Sequence, residues 1–157
     1  MRTPWYGGTP RAELDLALLA LRLFVGVAFV LHGYPKVEHL ATWADKVLPG
    51  LPPWLAAIAA LVEFGGGIAI ALGVLTRIFA FLLACDMAVA AFVVSIPRGD
   101  VFVSNTPGAR TFELPLLYLV LALVFMLLGA GAYSVDALVQ RRSLRTRLGA
   151  RFAQTRG

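Results

Sequence analysis

A single cysteine, Cys85, excludes an intramolecular disulfide, a thiol–disulfide relay and a cysteine-rich metal site. Histidine is almost as scarce. His32 and His39 share one short segment interrupted by Gly33 and Pro35, so within one chain they do not offer the opposed axial ligands of a bis-histidine haem. No His/Cys set has the spacing of metal ligands, and no metal is expected. There is no glycine-rich phosphate loop and no Ser-His-Asp arrangement with defensible geometry. No stretch alternates polar and apolar residues with period two, which disfavours a membrane β-barrel.

What the chain has instead is apolar length. Of its 157 residues 59% are hydrophobic, against about half in a soluble domain, and the mean hydropathy is +0.79. The excess is collected into four runs, Ala17–Tyr34, Trp54–Leu75, Ile78–Ile96 and Leu114–Ala132, of 18 to 22 residues each. A helix needs about 20 residues to cross a hydrocarbon core ~30 Å thick, and a helix satisfies its own backbone hydrogen bonds, as lipid demands. The expected fold is all-α: an integral membrane four-helix bundle with a basic, amphipathic C-terminal helix. Three regions follow: an N-terminal segment 1–16, a membrane domain 17–133 and a basic tail 134–157. The N-terminal segment lacks the charged start and apolar core of a cleavable signal, so the first span is expected to stay in the protein.

The connections differ in kind. Pro35, Pro49, Pro52 and Pro53 break the segment between spans one and two, where residues 37–47 predict a short interfacial helix with Leu40 and Trp43 toward lipid. Residues 73–77 read as a tight turn, so spans two and three are antiparallel neighbours. The polar stretch 97–112 is long enough to fold over one mouth of the bundle. Ser134 is a plausible N-cap for the last helix. With four spans both termini share a side with Arg77. That side carries nine Lys and Arg residues, six of them in the tail (Arg141, Arg142, Arg145, Arg147, Arg151 and Arg156), against four on the other, Lys36, Lys46, Arg98 and Arg110. The excess argues for a plasma-membrane protein with both termini cytoplasmic. The tail arginines suit anionic lipid headgroups or serve only as a topology signal; nucleic acid is not expected.

Three ionisable residues lie inside the spans, where a charge is costly and needs a partner or a route to water. At 1.5 Å of rise per residue, Glu63 and Asp86 each lie roughly 13 Å deep, one counted from each surface, and so are nearly level. Arg22 is nearer the cytoplasmic edge. Side chains lean toward a helix N-terminus, which predicts an inner Arg22–Asp86 pair and a separate Glu63–His32 neighbourhood. For Arg22 the alternative is snorkelling to water; for the two acids it is a neutral, hydrogen-bonded structural role. Gly66 and Gly67 share the Glu63 face and admit a close helix. Tyr118, Ala122, Phe125 and Gly129 form one stripe of span four.

Together several motifs resemble the DoxX family of small four-helix membrane proteins. They are Leu21-Arg22-Leu23 with Gly26, Leu31-His32-Gly33 with Lys36, Val62-Glu63-Phe64 with Gly65 to Gly67, Leu72-Gly73 running to Arg77, Asp86-Met87 with Ala90, and Gly129-x-Gly131-x-Tyr133-Ser134-Val135-Asp136. The resemblance covers about Leu14 to Leu138; Ala130 stands where the family often has proline. It implies a membrane component of an oxidoreductase system, since related sequences include a subunit of thiosulfate:quinone oxidoreductase and partners of oxidative-stress enzymes. The expected function is therefore a quinone-linked redox subunit. Glu63, Asp86 and Arg22 are the candidate catalytic residues, and His32, Lys36, Gly66, Gly67 and Tyr118 are candidates for the quinone site. Quinone is the only cofactor expected. A chain without stable redox groups of its own needs a partner subunit or a direct transfer from substrate to quinone; self-association is open. The competing readings are a scaffold or assembly factor, with the buried charges structural, and, last, proton-coupled transport.

Overall fold

The computed structural model describes residues 11–45 and 49–143; the N-terminal stretch 1–10, Lys46 and the tail arginines Arg145, Arg147, Arg151 and Arg156 lie outside them. Among the described residues the order is α1 (Arg11–Glu38), α2 (Pro53–Leu72), α3 (Thr76–Ala88) continuing as a π-helical stretch (Val89–Ser95), and α4 (Glu113–Leu128). Residues 135–143 form a final helical stretch. The protein is all-helical, with α1, α2 and the continuous helix Thr76–Ser95 long and apolar enough to cross a membrane.

α1 is longer than its apolar run suggests. Its 28 residues extend about 42 Å, and it passes through Pro35 instead of stopping before it. Proline inside a helix forfeits a backbone bond, but this one lies in the last turn, where the ladder resumes with His39 N–H donating to Pro35 O at 3.2 Å. Contacts with α2 hold this end in place: a Cβ on Gly33 would lie 2.6 Å from Phe64 N. The interfacial helix expected over 37–47 is absent from its described part. Residues 39–45 form a run of turns; Ala44 is buried, and Trp43 packs on Lys36 rather than on lipid.

α1 and α2 meet through glycine. A Cβ on Gly26 would lie 2.6 Å from Gly67 O, and one on Gly67 2.8 Å from Gly26 O. Such contact brings backbones together where lipid supplies no hydrophobic drive for helix association. Gly66, one position on, faces α3 against Leu83. Tyr118, Ala122 and Phe125 of α4 are buried as the stripe predicted, with Tyr118 at 4.8 Å from the Phe29 ring of α1.

The predicted turn is a Schellman closure. Gly73 adopts φ +70, Gly73 N–H donates to Ile70 O at 3.1 Å and Val74 N–H to Ala69 O at 2.9 Å. The final helix locks onto it. Ser134 caps that helix, accepting from Ala137 N–H at 3.1 Å. Asp136 N–H donates to Gly73 O at 2.9 Å, while its carboxylate accepts from Leu75 N–H at 2.8 Å and Thr76 N–H at 3.0 Å. Asp136 is thus an N-cap supplied from sixty residues away. Asp136→Ala is expected to cost about 1–2 kcal/mol, the usual loss for a helix cap, read as a lowered melting midpoint in detergent.

α4 has 16 residues, about 24 Å, which is short of a ~30 Å core. Beyond it the chain continues in non-helical form through Gly129 and Gly131, both at positive φ. Irregular backbone at this depth needs partners from the protein. Asp15 accepts from Ala132 N–H at 2.8 Å, and Arg22 Nη2 donates to Tyr133 O at 2.5 Å.

Candidate functional site

The predicted pair of Arg22 with Asp86 is not formed. Arg22 is 1% exposed and spends its guanidinium on the Tyr133 carbonyl at the end of the bundle where α1 begins. It packs so closely under the α2–α3 turn that a Cβ on Gly73 would fall 1.8 Å from Arg22 Nη1. Its inward lean is as predicted, but the partner is unfinished backbone and not an acid.

Asp86 instead meets Glu63. The two carboxyls, level by residue count, lie close enough for a side-chain hydrogen bond. Glu63 Oε1 accepts from Lys36 Nζ at 2.5 Å, with the Glu63 side chain 5% exposed and that of Lys36 29%. The Lys36 ammonium also sits 4.8 Å from the centroid of the Trp43 ring. Lys36 reaches this position only because α1 continues past Pro35, carrying residue 36 over the middle of α2. The Glu63–His32 neighbourhood is therefore replaced by Glu63–Lys36. His32 is exposed; its Nδ1 lies 2.8 Å from Ala28 O, and its ring stands edge-on to Tyr118 at 6.0 Å.

Lys36, Glu63 and Asp86 line one cavity of about 370 Å³ between α2 and the α3–π helix, within the usual range for small-molecule sites. Its walls are apolar, from Val62 and Ala59 on α2 to Ala90 and Val94 on the other side. Leu55, Ile58, Leu82 and Val89 line it as well and are 36–49% exposed, so the cleft opens sideways, toward lipid. At the end away from the termini it is bounded by Trp43, Ser95 and Arg98. Arg98 is paired with Asp100 through two hydrogen bonds, which hold the Asp100 carboxyl below its ordinary range and raise Arg98.

On residues that line the cleft, Glu63 Oε2, Asp86 Oδ2 and Trp43 Nε1 are buried with no hydrogen-bond partner beyond the contact between the two acids. Buried polar groups are rarely left unpaired. A flat apolar ring with polar oxygens, such as a quinone headgroup, fits those walls, where its oxygens would accept from Lys36, whose ammonium has three donors and spends one on Glu63.

Five of the eight candidate residues lie outside the cleft. Arg22 is at the terminus end, His32 and Tyr118 stack between α1 and α4, Gly67 is pressed against α1 and Gly66 against α3. Trp43, Cys85 and Arg98 line the cleft without having been singled out for it. Cys85 had a signal, adjacency to Asp86; Trp43 and Arg98 had none, because loop geometry brings them there.

A lateral, carboxyl-floored cleft in a small bundle of apolar helices defines a polytopic membrane protein with a lipid-accessible site. The chain belongs to the DoxX family, whose sequence pattern matches residues 17–96, a span that includes Lys36, Glu63 and Asp86. It is 34% identical over 120 residues to an uncharacterised protein of Haemophilus influenzae, covering 76% of this chain and 87% of that one. It is 30% identical over 132 residues to the inner membrane protein YqjF of Escherichia coli, covering 82% and 95%. It is also 26% identical over 128 residues to the Bacillus subtilis protein named "Putative oxidoreductase CatD", covering 81% and 90%. No solved structure is significantly similar.

Proposed function

We propose that this protein is the membrane subunit of a quinone-linked redox system and that the cleft is its quinone site. The observation that carries this reading is the coincidence in one lipid-facing cleft of apolar walls with the Lys36–Glu63–Asp86 cluster. The oxidoreductase name of one relative agrees with it. Reduction of a quinone to hydroquinone consumes two electrons and two protons. A partner subunit bearing its own redox group, or the substrate directly, supplies the electrons. Glu63 and Asp86 hold and pass protons, and Lys36, partly exposed, links Glu63 to water. Arg22 is structural in this scheme. The lysine and arginine excess supports cytoplasmic termini in a cell-membrane protein, an orientation in which the Trp43–Arg98 end of the cleft faces outward.

Purification in mild detergent followed by lipid extraction and mass spectrometry tests it. Wild-type protein is expected to carry quinone, with the amount falling to background in Glu63→Gln and in Ala59→Trp, which fills the cleft. Quinone-free wild-type protein that still supports its partner's activity would remove the proposal.

A further inference from the structure

We propose that a second cavity, at the terminus end of the bundle, is the headgroup site of a zwitterionic phospholipid that carries a primary ammonium. It shares no lining residue with the cleft and does not depend on the quinone reading.

This cavity, of about 790 Å³, lies where the start of α3, the end of α4 and the helical stretch 135–143 come together. Two cations line it, Arg77 on α3 and Arg141 on the last helical stretch, and both are exposed. Arg77 spends Nη2 on Leu127 O at 3.3 Å; a guanidinium has five N–H donors, so most remain available. Two carboxylates line the same space, Asp15 and Asp136. Asp136 has both oxygens engaged, by Leu75 N–H and Thr76 N–H. Asp15 is half-buried and gives Oδ1 to Ala132 N–H, which leaves Oδ2 to accept elsewhere. Among the described residues neither arginine is ion-paired with either acid. Opposite charges thus border one cavity without closing on each other.

The position of the cavity suits a lipid. Asp15 stands just before the first apolar run and Arg77 just before the third, so both mark the edge of the hydrocarbon. Leu75, Ile78 and Leu128 also line it and are 53–56% exposed, an apolar rim for the glycerol and acyl chains. A purely basic pocket at this level would favour an anionic lipid. Here two carboxylates offset the two arginines, which favours a headgroup bringing both signs. Its phosphate accepts charge-assisted bonds from Arg77 and Arg141, and its ammonium donates to Asp15 Oδ2. A choline headgroup has the same charges but no N–H, so the site distinguishes it from ethanolamine. The basic tail attracts both lipids equally, because their net charge is the same.

Native mass spectrometry of the delipidated full chain in detergent, titrated separately with dioleoyl phosphatidylethanolamine, phosphatidylcholine and phosphatidylglycerol, tests this. Phosphatidylethanolamine is expected to bind at least about threefold tighter than phosphatidylcholine, the scale of a partly exposed charged contact. Asp15→Asn keeps an acceptor for Ala132 N–H but loses the charge, and the preference is expected to fall below about 1.5-fold. Arg141→Gln is expected to weaken phosphatidylethanolamine about threefold, while Arg110→Gln, at the opposite end, leaves it unchanged. Equal affinity for the ethanolamine and choline lipids in wild type overturns the proposal. So does a preference that persists in Asp15→Asn, or an equal loss in Arg141→Gln and Arg110→Gln. Tighter binding of phosphatidylglycerol, lost in Arg141→Gln, would make this an anionic-lipid site instead. Water-soluble glycerophosphoethanolamine binding as tightly as the lipid would overturn the role of the apolar rim. If Asp15→Asn fails to fold, the wild-type ratio and Arg141→Gln decide.

Discussion

Gly67→Val is expected to abolish stable packing of α1 on α2. A Cβ at residue 67 would lie 2.8 Å from Gly26 O, 2.8 Å from Val30 N and 2.9 Å from Phe29 Cβ. Two of these three are backbone atoms, which cannot swing aside as a side chain can. Overpacking commonly costs 1–3 kcal/mol, and with backbone as the obstacle about 3 kcal/mol or more is expected. Separating the helices also withdraws Lys36 from Glu63, so the cleft goes with the interface. A denaturant titration in detergent micelles reads this as a large drop in midpoint. Gly65→Ala is the control. Nothing lies within 4 Å of its Cβ, and alanine in a helix gains about 0.5–1 kcal/mol over glycine, so the midpoint is expected to hold or rise. Similar losses in both variants would show that helix-wide glycine content matters and the close approach does not.

Lys36→Met is the second large effect. It removes the cationic partner of the buried Glu63 carboxyl. Breaking a buried ion pair from one side costs 3–5 kcal/mol, and with Lys36 partly exposed a loss of about 3 kcal/mol is expected. Replacing the pair together, Lys36→Met with Glu63→Leu, is expected to recover most of that loss, because neither member is left as an unpaired charge. Quinone retention is expected to be lost in both. Stability restored with ligand still absent is the result that separates a binding role from a structural one. If the double variant retains bound quinone, these two residues are not part of its site.

The candidate site was only partly readable along the chain. The level placement of Glu63 and Asp86 needed nothing beyond residue counts and helical rise, and the two acids do meet. Side-chain lean alone predicts a pairing of Arg22 with Asp86. It failed because α4 stops short of the boundary and leaves backbone groups that Arg22 and Asp15 must satisfy. Gly129 and Gly131 announce an end to the helix, but not which distant side chains satisfy the backbone beyond it. Pro35 predicts a loop that includes Lys36, since proline disfavours helix; the packing of Gly33 on Phe64 outweighs that preference and swings Lys36 onto Glu63.

Composition and periodicity alone determined that this chain is a bundle of lipid-embedded helices, where its turn at Gly73 falls and which acids share a level, because these depend on local hydropathy, conformational preference and length. Tertiary structure decided which polar groups touch, where the cleft opens and that Trp43 and Arg98 border it. Those outcomes depend on how far α1 and α4 run relative to their neighbours, a competition between one lost backbone bond and many distant contacts that no short window of sequence contains.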